Sequence, residues 1–418
     1  MGGRLLRPVR RAVVRLLIAF AAVQAALVAL LTGTDKVRKL RGRRAPRPMY
    51  PHAGHREVVL ESGRTRVRLF TVGSELFDAM LDDIEGARDH VYIEFFIWKD
   101  DTVGRAFLAL LRRKAEEGVR VCAVFDRFAN LVVAPAFKRF PPPIDLLHFR
   151  PIDQRRPVTP RVLLRDHRKL LVVDRRVAYV GGFNLGDGYA SGGWRDTHLR
   201  VAGPVVPEFE NAFVDFWNTH RGSQLAALPH PTDRSWDTEI RVHRNDPDLR
   251  IFPIRGMYLE AIDRAARRVW MSQGYFVPDR ALRRALIEAA GRGADVRVLV
   301  PWHSNHVLAD WMARRHFAEL LGSGVRLFAY RDLMIHAKTA TIDGVWSTVG
   351  TANLDRLSLL GNYEINVEIH SPAFAAEMER DFETDLSNAT ELTAADWGRR
   401  PLAAKVVERT LESLSPLV

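Results

Sequence analysis

Cysteine is almost missing from this sequence. Cys122 is the only one in 418 residues, so no internal disulfide can form, a reducing compartment is indicated, and the count argues against a cysteine-ligated metal site. Net charge is equally scarce over most of the chain. The formal total of +12 is concentrated in residues 1–47, where ten Arg and two Lys face Asp35 alone, leaving 50 basic and 49 acidic residues over 48–418. A body so close to neutral argues against an enzyme that surrounds a nucleic acid with basic surface. With 47% apolar and 27% charged residues the chain is neither disordered nor fibrous, and it is long enough for two domains.

The basic excess flanks an uncharged run from Leu16 to Thr34, whose apolar core, residues 16–31, is broken only by Gln24. This reads as a membrane segment at the short end of spanning length, with a signal peptide or an interfacial helix as alternatives. The run ends Leu31-Thr-Gly-Thr34 without a small-x-small cleavage site, which favours an uncleaved anchor. Five Arg precede it and seven Lys or Arg follow, so the positive-inside rule puts the body on the cytoplasmic face of the inner (plasma) membrane.

Beyond residue 47, strand-length apolar runs such as 91–98, 119–125 and 296–300 alternate with helical patterns at 103–117 and 281–292. The expected fold is α/β. Laying Val91 on Val269 aligns Tyr92 with Trp270 and Asp101 with Asp279, so the chain reads as duplicated, with halves at 48–235 and 236–395 and an amphipathic tail at 396–418.

A sharper repeat follows. His167, Lys169, Asp174, Gly181 and Asn184 recur as His336, Lys338, Asp343, Gly350 and Asn353, every one displaced by 169 residues. Each copy reads as a strand, a tight turn and a returning strand, with Asp343-Gly344 a good hairpin turn and Asp174-Arg175-Arg176 a poorer one. His and Lys two apart on a strand share a face, whereas the Asp seven residues on falls on the other and supports the turn or a neighbouring charge.

Two His, two Lys and the amides of Asn184 and Asn353 converging on one cleft suit a phosphodiester, the lysines meeting its oxygens as point charges. One imidazole can attack phosphorus while the other protonates the leaving alcohol, giving a phosphohistidine released by water or by a second alcohol. Ammonium and amide groups already stabilise the developing charge, so neither metal nor cofactor is expected. A nucleophilic imidazole needs a carboxylate behind it. Glu364 lies 28 residues after His336 and Asp196 lies 29 after His167, and we read them as the orienting acids.

The duplicated His-x-Lys-x4-Asp-x6-Gly-x-x-Asn pattern resembles the phospholipase D superfamily and, within it, bacterial cardiolipin synthases. The resemblance extends to 92–98, 181–187, Trp194-Arg-Asp-Thr-His198, 275–279 and 362–368, and covers about residues 55–395. It implies two α/β/α halves related by a pseudo-twofold around one active site, with His167, Lys169, Asp174, His336, Lys338 and Asp343 as the catalytic set. By the same resemblance His167 attacks and His336 donates the proton. It also implies a membrane-bound phosphatidyltransferase that passes a phosphatidyl group to phosphatidylglycerol and releases glycerol. Hydrolysis to phosphatidic acid, or nuclease action, are the alternatives within the superfamily. The chain departs from the pattern at Asp166, where relatives often carry Asn, and at Gly182, opposite Thr351, which predicts one hydroxyl contact to the phosphate fewer in the first half.

His303 and His306 have a metal-compatible spacing but no completing ligand, and are read as a loop at the lipid entrance. Met334 and Trp194, Trp217, Trp270, Trp302 and Trp346 are read as core or cleft lining. The stretch from Phe140 to Arg161 is read as a loop over the first motif. In the tail, Leu402, Val406, Leu411 and Leu414 mark the expected buried stripe, with packing on the body as its expected fate.

Overall fold

The computed structural model describes residues 21–37, 50–54, 56–61, 64–131, 133–149, 164–232 and 238–411. Most of the basic leader, the 150–161 part of the expected loop, and Leu414 lie outside them, and the described part of that loop is not all loop, because Asp145–Phe149 is a strand paired beside 122–126. Their strands are β1 (Val58–Val59), β2 (Arg66–Phe70), β3 (His90–Phe95), β4 (Arg120–Asp126), β5 (Asp145–Phe149), β6 (Lys169–Val173), β7 (Val177–Gly181), β8 (Trp194–Arg195) and β9 (His198–Ala202) in the first half. The second half adds β10 (Ile240–Asn245), β11 (Arg268–Gln273), β12 (Asp295–Pro301), β13 (Arg326–Tyr330), β14 (Met334–Ile335), β15 (Lys338–Ile342), β16 (Trp346–Gly350), β17 (Glu364–His370) and β18 (Ala389–Leu392).

Two eight-stranded sheets result, in the orders β1-β2-β9-β7-β6-β3-β4-β5 and β10-β17-β16-β15-β11-β12-β13-β18. Matching β2 with β10 and reading along, seven strands correspond in order, each sheet gaining one strand of its own at an opposite edge. The duplication read from the residues is thus a duplicated topology. The parallel pairs β3–β4, β11–β12 and β12–β13 are joined by helical crossovers and the parallel pair β4–β5 by a segment without a helix among the described residues, while the motif strand and its return are antiparallel, as a short turn requires. The motif strands β6 and β15 are buried along their whole length, which explains apolar runs without alternation such as Leu170-Leu-Val-Val173.

The helices are α1 (21–37), α2 (Gly73–Glu85), α3 (Thr102–Glu116), α4 (Asp187–Ala190), α5 (Val206–His220), α6 (Pro253–Arg264), α7 (Arg280–Gly291), α8 (Val307–Gly322), α9 (Arg356–Leu360), α10 (Pro372–Leu386), α11 (Ala394–Gly398) and α12 (Leu402–Leu411). The aligned acids Asp101 and Asp279 do the same work. Asp101 accepts from Gly104 N at 3.1 Å to open α3, and Asp279 accepts from Ala281 N at 2.8 Å to open α7. One hydrophobic core crosses the pseudo-twofold. Val180, Leu199 and Phe213 of the first half pack in it with Val349, Ile365, Val367 and Met378 of the second.

At the N-terminal end, residues 16–20 of the expected membrane segment lie outside the described residues; at the C-terminal end one expectation changes. Among the described residues no helix is long and apolar enough to cross a membrane. Residues 21–37 bury Gln24 and lay Leu27, Val28 and Leu31 against the second-half core, with Gln24 Nε2 donating to Thr410 O at 2.7 Å. In α12 the inward stripe is Val407, Glu408 and Leu411, while Leu402 and Val406 are 78% and 62% exposed. Two apolar stripes compete on this short helix. The one that wins can pack on α8 and pair Glu408 with Arg400.

Candidate active site

Each motif histidine leaves the end of its own sheet and is caught by the other half. His167 N donates to Tyr363 O at 3.0 Å, and His336 N donates to Arg195 O at 2.7 Å. These contacts belong to two short parallel pairings across the pseudo-twofold, Asp166 with Tyr363, and β14 with β8 through Met334–Trp194 and Ile335–Arg195.

The side chains repeat the exchange. His167 Nδ1 lies 3.0 Å from both Glu364 carboxylate oxygens, and His336 Nδ1 lies 2.7 Å from Asp196 Oδ2. Spacing identified both acids, 28 and 29 residues after the histidine of their own half, yet each serves the histidine of the other. With Nδ1 donating to a carboxylate, each imidazole keeps the Nε2 lone pair for chemistry.

Lys169 and Lys338 are fully buried, and each turns its ammonium back on the carbonyl of its own histidine; Lys169 Nζ to His167 O is 2.6 Å. Burial pulls their proton affinities down, to about 8 for Lys169 and about 7 for Lys338, against the nearby acids Glu364 and Asp196. His336 is pushed down to about 3 by burial and by Lys338, with Asp196 opposing. His167 is lowered too, by burial and by both lysines, with Glu364 opposing. These shifts favour the neutral form of both imidazoles at neutral pH. Aromatic rings wall the site: Phe96 stands 4.7 Å from His167, and Trp194 and Tyr275 stand 5.0 and 5.5 Å from His336.

Other expected site residues land elsewhere. Asp174 does not face the cluster; its carboxylate accepts from the backbone N–H groups of Arg88, Asp89 and His90 at 2.8, 2.8 and 3.0 Å. Asp343 does the same for Ala266, Arg267 and Arg268, each at 2.8 Å. Both fasten the motif hairpin to the start of the neighbouring strand and reach no reacting atom. Thr351 is not a phosphate contact either, because its hydroxyl donates to Glu364 Oε2 at 2.5 Å. At the matching Gly182 a Cβ would lie 1.9 Å from Asp196 Oδ1, so glycine is required for the shorter acid to approach His336. Asn184 Oδ1 accepts from Ile97 N at 2.9 Å, and Asn353 Nδ2 lies 3.4 Å from Ser358 Oγ.

Asp166 is drawn away from His167 by Arg168, whose guanidinium bonds Glu94 at 2.6 Å and lies 3.4 Å from Asp166. Burial and the Glu94 charge raise Asp166 well above the usual carboxylate range, with Arg168 opposing, which weakens the negative charge beside the histidine. The His303 to His306 loop stands against Tyr275, with the His306 ring 5.5 Å from it, on the second-half side of the cleft. Trp217, Trp270 and Trp346 are core, Trp194 is cleft lining, and Trp302 is 42% exposed.

Sequence reasoning missed Tyr275, Arg195 and Tyr363 as site residues. Only the place of Arg195 and Tyr363, each immediately before an orienting acid, could have marked them.

A family model described as "Cardiolipin synthase, PLD-like domain" matches residues 258–386. A cardiolipin synthase of Listeria monocytogenes serotype 4a (strain HCC23) is 32% identical over 373 residues, covering 84% of this chain and 75% of that one. One from Clostridium perfringens (strain ATCC 13124) is 31% identical over 383 residues, covering 85% and 77%. Among solved structures, phosphatidylserine synthase of Haemophilus influenzae Rd KW20 aligns with a TM-score of 0.65 at 13% identity, covering 86% of this chain and 95% of that one, a likeness of fold.

Proposed function

The chain belongs to the cardiolipin synthase family, and from that premise we propose that it is a phosphatidyltransferase working through a phosphohistidine. Binding of the phosphate anion beside the lysines lets His336 take up a proton on Nε2; His167 Nε2 then attacks the phosphorus of one phosphatidylglycerol, and the bond to the glycerol headgroup breaks as His336 Nε2 gives that oxygen the proton. Glycerol leaves. The glycerol hydroxyl of a second phosphatidylglycerol then loses its proton to His336 and attacks, the phosphorus–nitrogen bond breaks, and cardiolipin is released with both histidines restored. Lys169 and Lys338 bind the phosphate oxygens and stabilise their growing charge.

What carries this reading is the pair of imidazoles, each with Nδ1 committed to a buried carboxylate and each beside a buried lysine. A lipid substrate places the reaction at a membrane surface, here the cytoplasmic face of the plasma membrane. The exposed apolar residues Leu30, Leu402 and Val406 and the basic residues of the leader support that placement.

One observation favours the reverse order of histidines: burial and Lys338 push His336 further toward the neutral, nucleophilic form. Trapping decides between them. Purified protein mixed with phosphatidylglycerol vesicles should yield cardiolipin and glycerol, and a quenched reaction should carry the phosphatidyl group on the peptide containing His167. A label on His336 would reverse the roles, and phosphatidic acid as the product would make water the acceptor.

A further inference from the structure

We propose that Arg195 and Tyr363 are positioning residues, each anchoring an orienting acid into a helix of the half that owns the histidine served. They occupy equivalent places. Each immediately precedes an acid, and each carbonyl accepts the backbone N–H of the opposite histidine, His336 on Arg195 and His167 on Tyr363. Their side chains then run into matched helices, α10 for Arg195 and α5 for Tyr363. Both helices carry a proline in their first turn, Pro372 and Pro207, and counting from these pairs Asp381 with Phe216 and Asp385 with His220.

At those paired positions the two halves use different chemistry. Arg195 is 1% exposed; its Nε and Nη2 bond the Asp385 carboxylate at 2.9 and 2.8 Å, and Nη2 also reaches Asp381. Nη1 closes on the Asp196 carbonyl and on Thr197 Oγ1, the latter at 2.9 Å, so one guanidinium ties the Asp196 backbone to α10. Tyr363 makes a neutral anchor. Its hydroxyl donates to Asp248 Oδ2 at 2.7 Å, His220 Nε2 is 3.1 Å from the Tyr363 hydroxyl oxygen, and its ring packs on Phe216 and Phe149.

Each anchor joins histidine, acid and helix into one unit, so a slip of the anchor turns the carboxylate off Nδ1 without touching the substrate. The consequence is asymmetric and rests on the roles given above, His336 as proton donor and His167 as nucleophile. Loosening Arg195 weakens protonation of the leaving group, whereas loosening Tyr363 weakens attack.

The test compares phosphatidylglycerol with a phosphatidyl ester of 4-nitrophenol, whose leaving group departs without a proton. Arg195→Lys keeps a cation between Asp381 and Asp385 and gives up the fork. It should lower kcat on phosphatidylglycerol about 10- to 100-fold at unchanged KM and leave the nitrophenyl ester, read as single-turnover release of 4-nitrophenolate before His336 is needed to take the acceptor's proton, within a few-fold of the parent. Its alkaline limb of kcat should move to lower pH, since a displaced Asp196 no longer supports the His336 proton. Tyr363→Phe should lower both substrates alike. Asp381→Asn, which leaves Arg195 on Asp385, should reproduce the Arg195→Lys pattern at smaller amplitude and serves if that variant does not fold. Equal loss on both substrates in Arg195→Lys and Asp381→Asn overturns the proposal, as does no loss in either. His336→Ala is the separate control on the roles: if it also loses both substrates equally, the assignment of His336 as donor fails instead.

Discussion

Toward the cleft the two halves are nearly superimposable in kind, and behind it they are opposites. His167 and Lys169 match His336 and Lys338. The residues between and behind them do not: Arg168, Asp166 and Glu94 of the first half occupy the places of Ala337, Ile335 and Ser272 in the second, by the shared motif offset and the strand register. The first half therefore carries a buried ion cluster on the reverse of its motif strand, with Arg168 also donating to Ala212 O at 3.0 Å and lying 4.4 Å from the Phe216 ring centroid. The second half fills the same layer with small and apolar groups. Duplication has preserved the face that carries the His-Lys pairs, while each reverse face has its own solution to packing against α5 or α10.

The largest effects should come from the face that is shared. Asp196→Asn and Glu364→Gln keep size and lose the charge that fixes the histidine tautomer, and each should cost about 10²- to 10⁴-fold in kcat. Product formation from phosphatidylglycerol by the folded variants measures it. Activity within a few-fold of the parent for Glu364→Gln alone would mean that only the Asp196 arm is catalytic, and the cleft would then be symmetric in shape but not in use.

The reverse faces should respond in stability instead. Arg168→Ala leaves Glu94 and Asp166 buried without their cation, at a cost of about 3–5 kcal/mol in denaturant unfolding. Installing the second half's residues together, Glu94→Ser with Asp166→Ile and Arg168→Ala, should recover most of that loss, because an apolar replacement removes the uncompensated charges with their partner. If the triple variant is no more stable than Arg168→Ala, the cluster is required by the first half's own packing rather than interchangeable with an apolar layer.

The sequence made the duplicated α/β order, the two His-Lys pairs and both orienting acids legible, because strand periodicity and a fixed offset are local signals. It did not show the exchange of acids between halves. Asp196 and Glu364 sit at nearly equal distances from their own histidines in sequence, and only the packing of β8 on β14 and of Tyr363 on Asp166 decides which imidazole each meets. Nor could residue type separate a phosphate-binding hydroxyl from one that supports a carboxylate, as at Thr351. At the chain end, Leu402 and Val407 are equally apolar, and the choice between their stripes is made by α8, far away in sequence.

The two lysines offer a finer comparison. Both are charged below their lowered proton affinities and neutral above, so phosphate binding weakens as pH rises, first through Lys338 at about 7 and then through Lys169 at about 8. The ratio kcat/KM, which reports the free enzyme, should fall above about pH 7 in two steps. Lys338→Arg, whose guanidinium stays charged, should remove the lower step and leave the upper. A profile unchanged by that substitution would assign the lower step to another group.

The smallest difference lies in the two motif turns. Arg175 at φ 53° stands where the second copy has Gly344 at φ 72°, a left-handed conformation that costs a side chain about 1–2 kcal/mol. Arg175 offsets this through its fork on Glu210, at 2.7 and 2.8 Å, and Glu210 is held down to about 2 by Arg175 and His90 in spite of burial. Arg175→Gly removes strain and ion pair together and should leave stability at pH 7 within about 1 kcal/mol of the parent. Gly344→Arg has no such return, because a Cβ there would stand 3.0 Å from Arg268 Nη2, so it should lose the full conformational cost. The sign with pH separates the causes. A depressed carboxylate contributes stability above its ordinary titration range and loses it as pH falls toward the folded value, so Arg175→Gly should flatten the decline between about pH 4 and 2. Gly344→Arg should lower the curve evenly. Equal losses in both variants at pH 7 would mean that the ion pair to Glu210 does not offset the turn, and that the first half simply tolerates the strain.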